Sequence, residues 1–290
     1  MNQLLDEFQR HRPRLFGLAY RMLGARHDAD DVLQDAWLRW QAGRPDELAS
    51  AEAWLVTLVT RLSIDRLRQA KLERARYSGP WLPEPVASSE PIEPRSPEDM
   101  LEHYNDVSIA FLTLLERLGP DERAAFLLRE VFDTDYAEIA AMLDKREDSC
   151  RQLVSRARQR IEADRPRFAV SRDAHRALLA RFAAAAHSGD LTELAPLFSA
   201  DAVLVGDGGG KVFSALRPLH GPDRLAMLFH AIARRNGDRC RFVEAEINGE
   251  PCLERYVDGV LDTVYCFVTD GAQIREVYVL RNPDKLDGLR

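Results

Sequence analysis

Cysteine is scarce in this 290-residue chain: there are four, Cys150, Cys240, Cys252 and Cys266, with no C-x-x-C pair and no metal-ligand spacing to histidine. That excludes a zinc module and a disulfide scaffold, and reads as free thiols in a reducing compartment. No apolar run approaches the roughly 20 residues of a membrane span. The first residues, MNQLLDEFQRHRPRLF, scatter charges among the apolar positions, unlike a secretory signal. The expectation is a cytoplasmic protein with no membrane partner. A large charge of one sign is also lacking. Forty Lys and Arg against 47 Asp and Glu give a net −7, which argues against a protein that coats nucleic acid everywhere and leaves room for local basic surfaces. There is no internal repeat.

Proline, by contrast, is concentrated. Six of the fifteen prolines fall between Ser78 and Glu98, and from Ser78 to Asp106 seven acidic residues face a single arginine. Proline forbids helix interiors and restricts the residue before it, so an extended acidic linker is expected over 78–100. Before it the apolar spacing is helical throughout. Leu4, Leu5, Phe8, Leu15, Phe16, Ala19, Met22 and Leu23 share one face, and Gly24 suits the stop. Val32, Leu33, Ala36, Trp37 and Trp40 mark a second helix, and Trp54, Leu55, Leu58, Val59, Leu62 and Leu67 a third, from about Glu52 to Arg76. Helical patterns resume from Met100 to about Arg167. After Val170 the character changes. A helix over about Ala174–His187 precedes strand-like stretches at Ala202–Val205, Lys211–Leu216, Arg241–Ile247, Glu254–Val260, Thr263–Thr269 and Ile274–Leu280, with a helix from Pro222 to Arg235 among them. Length and pattern together predict two all-α domains, the second carrying a helix-turn-helix, followed by an α+β domain.

The helix-turn-helix reads from Asp135 to Ile161. A short helix with Ile139, Ala140 and Leu143 inward meets a turn at Asp144–Arg146. A second helix turns Cys150, Leu153, Val154, Ala157 and Ile161 inward and Ser149, Arg151, Gln152, Ser155, Arg156 and Arg158 outward. Eight basic and four acidic residues between Lys145 and Arg167 leave a local excess of four positive charges. Arginine and glutamine read base edges in the major groove while other basic side chains hold phosphates. The bland alternative is a solvated arginine face on a core helix. A second basic run, Arg61, Arg66, Arg68, Lys71, Arg74 and Arg76, lies on the third helix beside Trp54, a composition that suits single-stranded nucleic acid. Asp30, Asp31, Gln34 and Asp35 line the polar side of the second helix. They either complement the helix dipole or form an acidic docking face.

In order, DADDVLQDAW, AWLVTLVTRLSIDRLR, the linker, LLERLGPDERAAFLLREVFDTDYAEIAAML and CRQLVSRARQRI resemble the extracytoplasmic-function sigma factors over about Leu4 to Ile161. The resemblance implies domain boundaries at 1–77 for core docking and minus-ten recognition, 78–100 for the linker and 101–167 for minus-thirty-five recognition. It implies that Asp30, Asp31, Gln34 and Asp35 dock on the clamp of the largest subunit of RNA polymerase core. Thr60, Arg61, Asp65 and Arg68 would engage the melted minus-ten element, and Ser149, Arg151, Gln152, Ser155, Arg156 and Arg158 the minus-thirty-five element of promoter DNA. Arg61 stands where many relatives carry Asn, and Arg146 where Ser or Thr is common.

The C-terminal half resembles a SnoaL-type domain of the nuclear-transport-factor-like cone fold, expected over 171–280 with a tail at 281–290. WLPEP (Trp81–Pro85), DGGGK (Asp207, Gly208, Gly209, Gly210, Lys211) and NPDKL (Asn282, Pro283, Asp284, Lys285, Leu286) are similar to the sigma subgroup fused to such a domain. The implied role is regulation in cis with no separate anti-sigma factor, the cone packing on the sigma domains through its tail and its pocket open to a small-molecule ligand. Members of that fold include enzymes with buried acids and bases, which singles out Asp207, His220, His230, Tyr265 and Glu276, but no pair of carboxylates is evident. The glycine run lacks the G-x-x-x-x-G-K-[ST] spacing of a phosphate loop. No catalytic residue, metal or cofactor is expected. The rival readings are a stand-alone, ligand-sensing helix-turn-helix regulator and an enzyme with a DNA-tethering arm.

Overall fold

The computed structural model describes residues 2–43, 50–88, 107–164 and 170–290. The second half of the expected linker, 89–100, the first residues of the expected second domain, 101–106, and the junction 165–169 lie outside the described residues. Those described fall into two compact units. One holds 2–75, 107 and 111–164; the other holds 76–88, 108–110 and 170–290.

The first unit is helical. Helices α1 (Asn2–Leu23), α2 (Arg26–Ala42) and α3 (Ala51–Arg74) pack on one another around Leu15, Leu18, Leu23, Leu33, Trp40 and Leu55, each at most 2% exposed. Gly24 ends α1 with a left-handed φ of 67°, its N–H reaching the Tyr20 carbonyl at 2.7 Å, a conformation that costs glycine little. Ser50 caps α3 by accepting from the Ala53 N–H. Then follow α4 (Ile109–Leu115), which belongs to this unit from Phe111 on, α5 (Pro120–Glu130), α6 (Tyr136–Leu143) and α7 (Glu147–Asp164). Pro120 opens α5 at a position where the missing N–H costs nothing, and Glu122 reaches back to the Gly119 N–H at 3.1 Å. Asp144, with φ 53°, makes the left-handed turn between α6 and α7. Ile139, Cys150, Leu153, Val154, Ala157 and Ile161 are buried as their spacing predicts; next to the half-buried Leu143, Met142 is buried as well.

The second unit is α+β. Helix α8 (Arg172–Ser188) and the short α9 (Leu191–Leu194) lead into β1 (Phe198–Asp207) and β2 (Leu219–His220); α10 (Pro222–Asn236) precedes β3 (Cys240–Ile247), β4 (Glu250–Val257), β5 (Val260–Thr269) and β6 (Ile274–Leu280), and α11 (Pro283–Leu286) follows β6. The sheet order is β2-β1-β6-β5-β4-β3, antiparallel except for the β1–β6 pair. An aromatic core joins helices to sheet: Phe182 meets Phe229 edge-on at 4.8 Å and Phe267 at 5.1 Å. Burying each such ring contributes about 1.5–3 kcal/mol.

Two strand expectations are corrected. Lys211–Leu216 is a loop, because Gly209 and Gly210 turn left-handed (φ 63° and 71°) and the chain pairs with β1 only from Leu219. Its apolar alternation misleads: Phe213 and Leu216 are 81% and 66% exposed. The fourth strand runs Glu250–Val257 rather than Glu254–Val260, because Asp258 and Gly259 both take positive φ and form the turn into β5.

Within this unit, the beginning of the linker lies along the end of edge strand β3. The Ser88 N–H donates to the Glu246 carbonyl at 3.0 Å, the Asn248 N–H to the Val86 carbonyl at 2.9 Å, and the Val86 N–H to Asn248 Oδ1 at 3.0 Å. A Pro-rich segment thus covers backbone groups that an edge would otherwise expose.

Candidate nucleic-acid interface

On α2 the four predicted docking residues separate by a single turn. Asp28, just before them, is nearly buried and held by Arg66 at 2.8 Å, a structural pair. Asp30 is half-exposed and shared between Arg12 and Arg26. Asp31, Gln34 and Asp35 face solvent, with Asp31 near His27 at 3.6 Å. Leu38, one turn on from Gln34 and Asp35, is 54% exposed and extends that face with an apolar contact point. The helical spacing already leaves Leu38 off the inward face of Val32, Leu33, Ala36, Trp37 and Trp40, but a single leucine among charged residues gives no further signal of a contact role.

On α3 the predicted residues divide. Thr60 is fully buried and turns away from solvent. Arg61, Asp65 and Arg68 are exposed on the surface that meets the helix-turn-helix. Arg61 donates from Nε to the Met142 carbonyl at 2.9 Å and from Nη2 to the Ala141 carbonyl at 3.1 Å, capping the C-terminus of α6. Arg68 pairs with Asp65 at 3.2 Å and with Asp121 at 3.3 Å, and Asp121 also takes Lys145 at 2.9 Å. These groups line a cleft of about 210 Å³. Glu116 joins Arg74 and Arg123, which reach the C-terminal carbonyls of α1: Arg74 to Leu23 at 2.8 Å and Arg123 to Met22 at 2.7 Å. Burial drives the Arg74 pKa down while Glu116 opposes the shift. The two helical modules therefore close on each other through arginines that satisfy helix-end carbonyls.

The outer face of α7 carries Arg151, Gln152, Ser155, Arg156 and Arg158 in solvent, with Ser149 half-buried. Arg151 lies 4.4 Å over the Tyr136 ring and pairs with Glu147. Arg158 pairs with Glu130 at 2.6 Å and Arg156 lies 3.8 Å from Glu122. Tyr136, which fixes the first of these arginines, carried no signal in the sequence beyond aromaticity.

In the second unit residues of the WLPEP, DGGGK and NPDKL motifs come together. Asp207, at the end of β1 and wholly buried, accepts from the Tyr77 hydroxyl at 2.6 Å, the Leu82 N–H at 2.9 Å, the Gly209 N–H at 2.9 Å and Lys285 Nζ at 2.7 Å. Lys285 also donates to the Leu82 carbonyl and lies 4.0 Å over the Trp81 ring. Asn282 donates to the Tyr77 hydroxyl at 2.9 Å, and its side chain leaves no room for a Cβ at Gly209, which would approach to 2.5 Å. Burial, followed by the hydrogen bond and charge of Asp207, pushes the Tyr77 pKa well up. Lys211 holds Asp284 through both carboxylate oxygens at 2.7 and 2.6 Å, Pro283 opens α11, and Leu286 is buried. The remaining acid–base candidates do not converge. His230 binds the Gly189 carbonyl, His220 is exposed, and Glu276 holds the Tyr278 hydroxyl.

Comparison with known proteins matches residues 8–73 to sigma-70 region 2 and 108–161 to sigma-70 region 4. The chain is 34% identical to the ECF RNA polymerase sigma factor SigJ of Mycobacterium tuberculosis, over 98% of this chain and 93% of that one. It belongs to the extracytoplasmic-function sigma factors. A probable ECF sigma factor SigI of the same organism is 28% identical over 97% of this chain and 93% of its own. The crystal structure of Mycobacterium tuberculosis SigJ superimposes with a TM-score of 0.75 at 32% identity, covering 98% of both chains. This sigma factor is thus a transcription initiation factor with helical sigma domains followed by a mixed-sheet domain, and its DNA-binding elements are those of sigma regions 2 and 4. Among its described residues no helix is long and apolar enough to cross a membrane.

Proposed function

We propose that this sigma factor docks on the clamp of RNA polymerase core through Asp31, Gln34, Asp35 and Leu38 of α2, with Asp30 behind them. Arg61, Asp65 and Arg68 then read the melted minus-ten element, with Thr60 as a buried support. Ser149, Arg151, Gln152, Ser155, Arg156 and Arg158 engage the minus-thirty-five element, Arg156 and Arg158 at its phosphates and the others at base edges. The observation that carries the reading is the α7 face, a row of exposed arginines and Gln152 above a strip of buried Cys150, Val154 and Ala157. It acts in the cytoplasm without enzymatic activity of its own and without a separate anti-sigma factor. DNA affinity in isolation is low, because Arg61 and Arg68 are engaged by α6 and Asp121 and are released only when the two modules part.

The second unit regulates in cis. The knot of Asp207, Asn282 and Lys285 holds Tyr77–Leu82, the start of the linker that joins the two promoter-reading modules, and so limits how far they separate. Run-off transcription with purified core and a promoter panel tests both parts. Promoter-dependent transcript that is lost when Arg151 and Gln152 become alanine, and that changes in yield with Lys285→Met, supports the reading. Tight sequence-specific DNA binding with no response to core would instead favour a stand-alone regulator.

A further inference from the structure

Past Arg68, helix α3 carries a group of side chains that the minus-ten reading leaves unused. Successive turns of one helix face hold Asp65, then Arg68 and Gln69, then Leu72. Asp65 and Arg68 pair with each other at 3.2 Å, and Arg68 also with Asp121 at 3.3 Å. Gln69 and Leu72 lie beyond that contact and stand in solvent. Leu72 is 74% exposed, and Gln69, Lys71 and Glu73 around it are exposed and polar. Glu73 is held by Arg66 at 3.2 Å. Among the described residues no hydrogen bond engages the Gln69 amide and no acid pairs with Lys71. Lys71 borders an open cleft of about 400 Å³ that it shares with Arg68 and with Asp121 and Glu122 at the start of α5.

A single exposed leucine is ordinary on a protein surface, but the place of this one is not. Leu67 and Ala70 supply the buried side of these turns, so Leu72 adds nothing to the core. It stands on the polar side of the helix, inside the stretch that matches sigma-70 region 2. Chain order names what that side meets. Helix α3 runs from Arg61 to the linker, and the linker leads to the module for the minus-thirty-five element, which lies upstream. The last turns of α3 therefore run from melted minus-ten DNA towards the duplex on its upstream side. A duplex offers what these side chains lack. Glutamine makes paired hydrogen bonds to adenine in the major groove, an apolar group meets the thymine methyl, and lysine holds phosphate. Residues three apart on a helix have Cβ atoms about 5–6 Å from each other, against a rise of about 3.4 Å per base pair. Gln69 and Leu72 thus reach neighbouring base pairs.

We propose that the last two turns of α3 read the duplex adjoining the minus-ten element on its upstream side. Leu72 contacts a thymine methyl, Gln69 takes an adenine, and Lys71 holds a phosphate of the same stretch. This rests on the assignment of Arg61, Asp65 and Arg68 to the minus-ten element and adds a second, double-stranded specificity to it. Arg61 and Arg68 are engaged by α6 and Asp121, whereas Gln69 and Leu72 are free. The duplex contact is therefore open before the two helical modules part.

The test is competitive binding of the holoenzyme to a promoter library randomised over the base pairs immediately upstream of the minus-ten element. Gln69→Ala should relax a preference for adenine there by about tenfold, and Leu72→Ala a preference for thymine by about fourfold. Uracil in place of that thymine removes only the methyl. It should cost the wild type the same factor and cost Leu72→Ala nothing. Lys71→Ala should weaken all sequences alike and lower the salt slope by about one unit. All three side chains are exposed, so thermal unfolding should not change. Arg68→Ala reports the minus-ten assignment by itself. An altered minus-ten preference in that variant, with upstream preference untouched by Gln69→Ala and Leu72→Ala, overturns this proposal and leaves the minus-ten reading standing. A uracil penalty that persists in Leu72→Ala overturns it too, as does a loss of core affinity in Leu72→Ala with base preference intact.

Discussion

A carboxylate with no exposed surface survives in a folded protein only when its partners are complete, and Asp207 has four donors around two oxygens. Those donors come from the linker, the glycine run and the tail. Removing the charge strands Lys285, whose side chain is only 10% exposed. Asp207→Asn is therefore expected to destabilise the second unit by about 3–5 kcal/mol in denaturant unfolding. It should also speed proteolytic cleavage within 78–88, and a variant with unchanged cleavage there would show that the knot does not hold the linker. The aspartate before three glycines reads in the sequence as a turn device, and it does accept from the Gly209 N–H. That it is also an interior ion-pair partner was not legible, because the donors lie far away along the chain, at Tyr77, Leu82 and Lys285.

At the scale of elements, the helices were legible and one loop was not. The periodic burial of Cys150, Val154, Ala157 and Ile161 follows from spacing alone, since one face of a helix between neighbours must be apolar. The outward residues of α7 follow by exclusion. Replacing Arg156 or Arg158 with alanine is expected to weaken promoter binding of the holoenzyme evenly across sequences and to lower the salt slope by about one unit each. Gln152→Ala should instead relax preference at one base pair, at a cost of about 1–3 kcal/mol. Binding titrations at several salt concentrations on a promoter library distinguish the two. The loop Lys211–Leu216 escaped because alternating apolar residues signal a strand only when a neighbour pairs with them. Here the left-handed glycines turn the chain away before pairing with β1 begins at Leu219.

At the scale of the molecule, the two helical modules close through arginines that satisfy carbonyls at helix ends, and the same contacts engage Arg61 and Arg68. Initiation then requires opening. With a dye pair at the exposed positions Gln69 and Arg146, energy transfer should fall when core polymerase is added. Arg61→Ala combined with Asp121→Asn should lower it part of the way without core. Transfer that does not change on core binding would mean that the modules stay closed in the complex.

Composition and periodicity by themselves determined the helical first half, the basic face of α7 and the switch to α+β after Val170, because each depends on residues near one another in the chain. The order of motifs carried the family. Tertiary structure alone decided that Thr60 is buried while Arg61 caps α6, and that Asp207 and Lys285 pair beneath Trp81. Each of these outcomes is a balance of desolvation against partners contributed from distant parts of the chain, and local spacing holds no record of which partners will arrive.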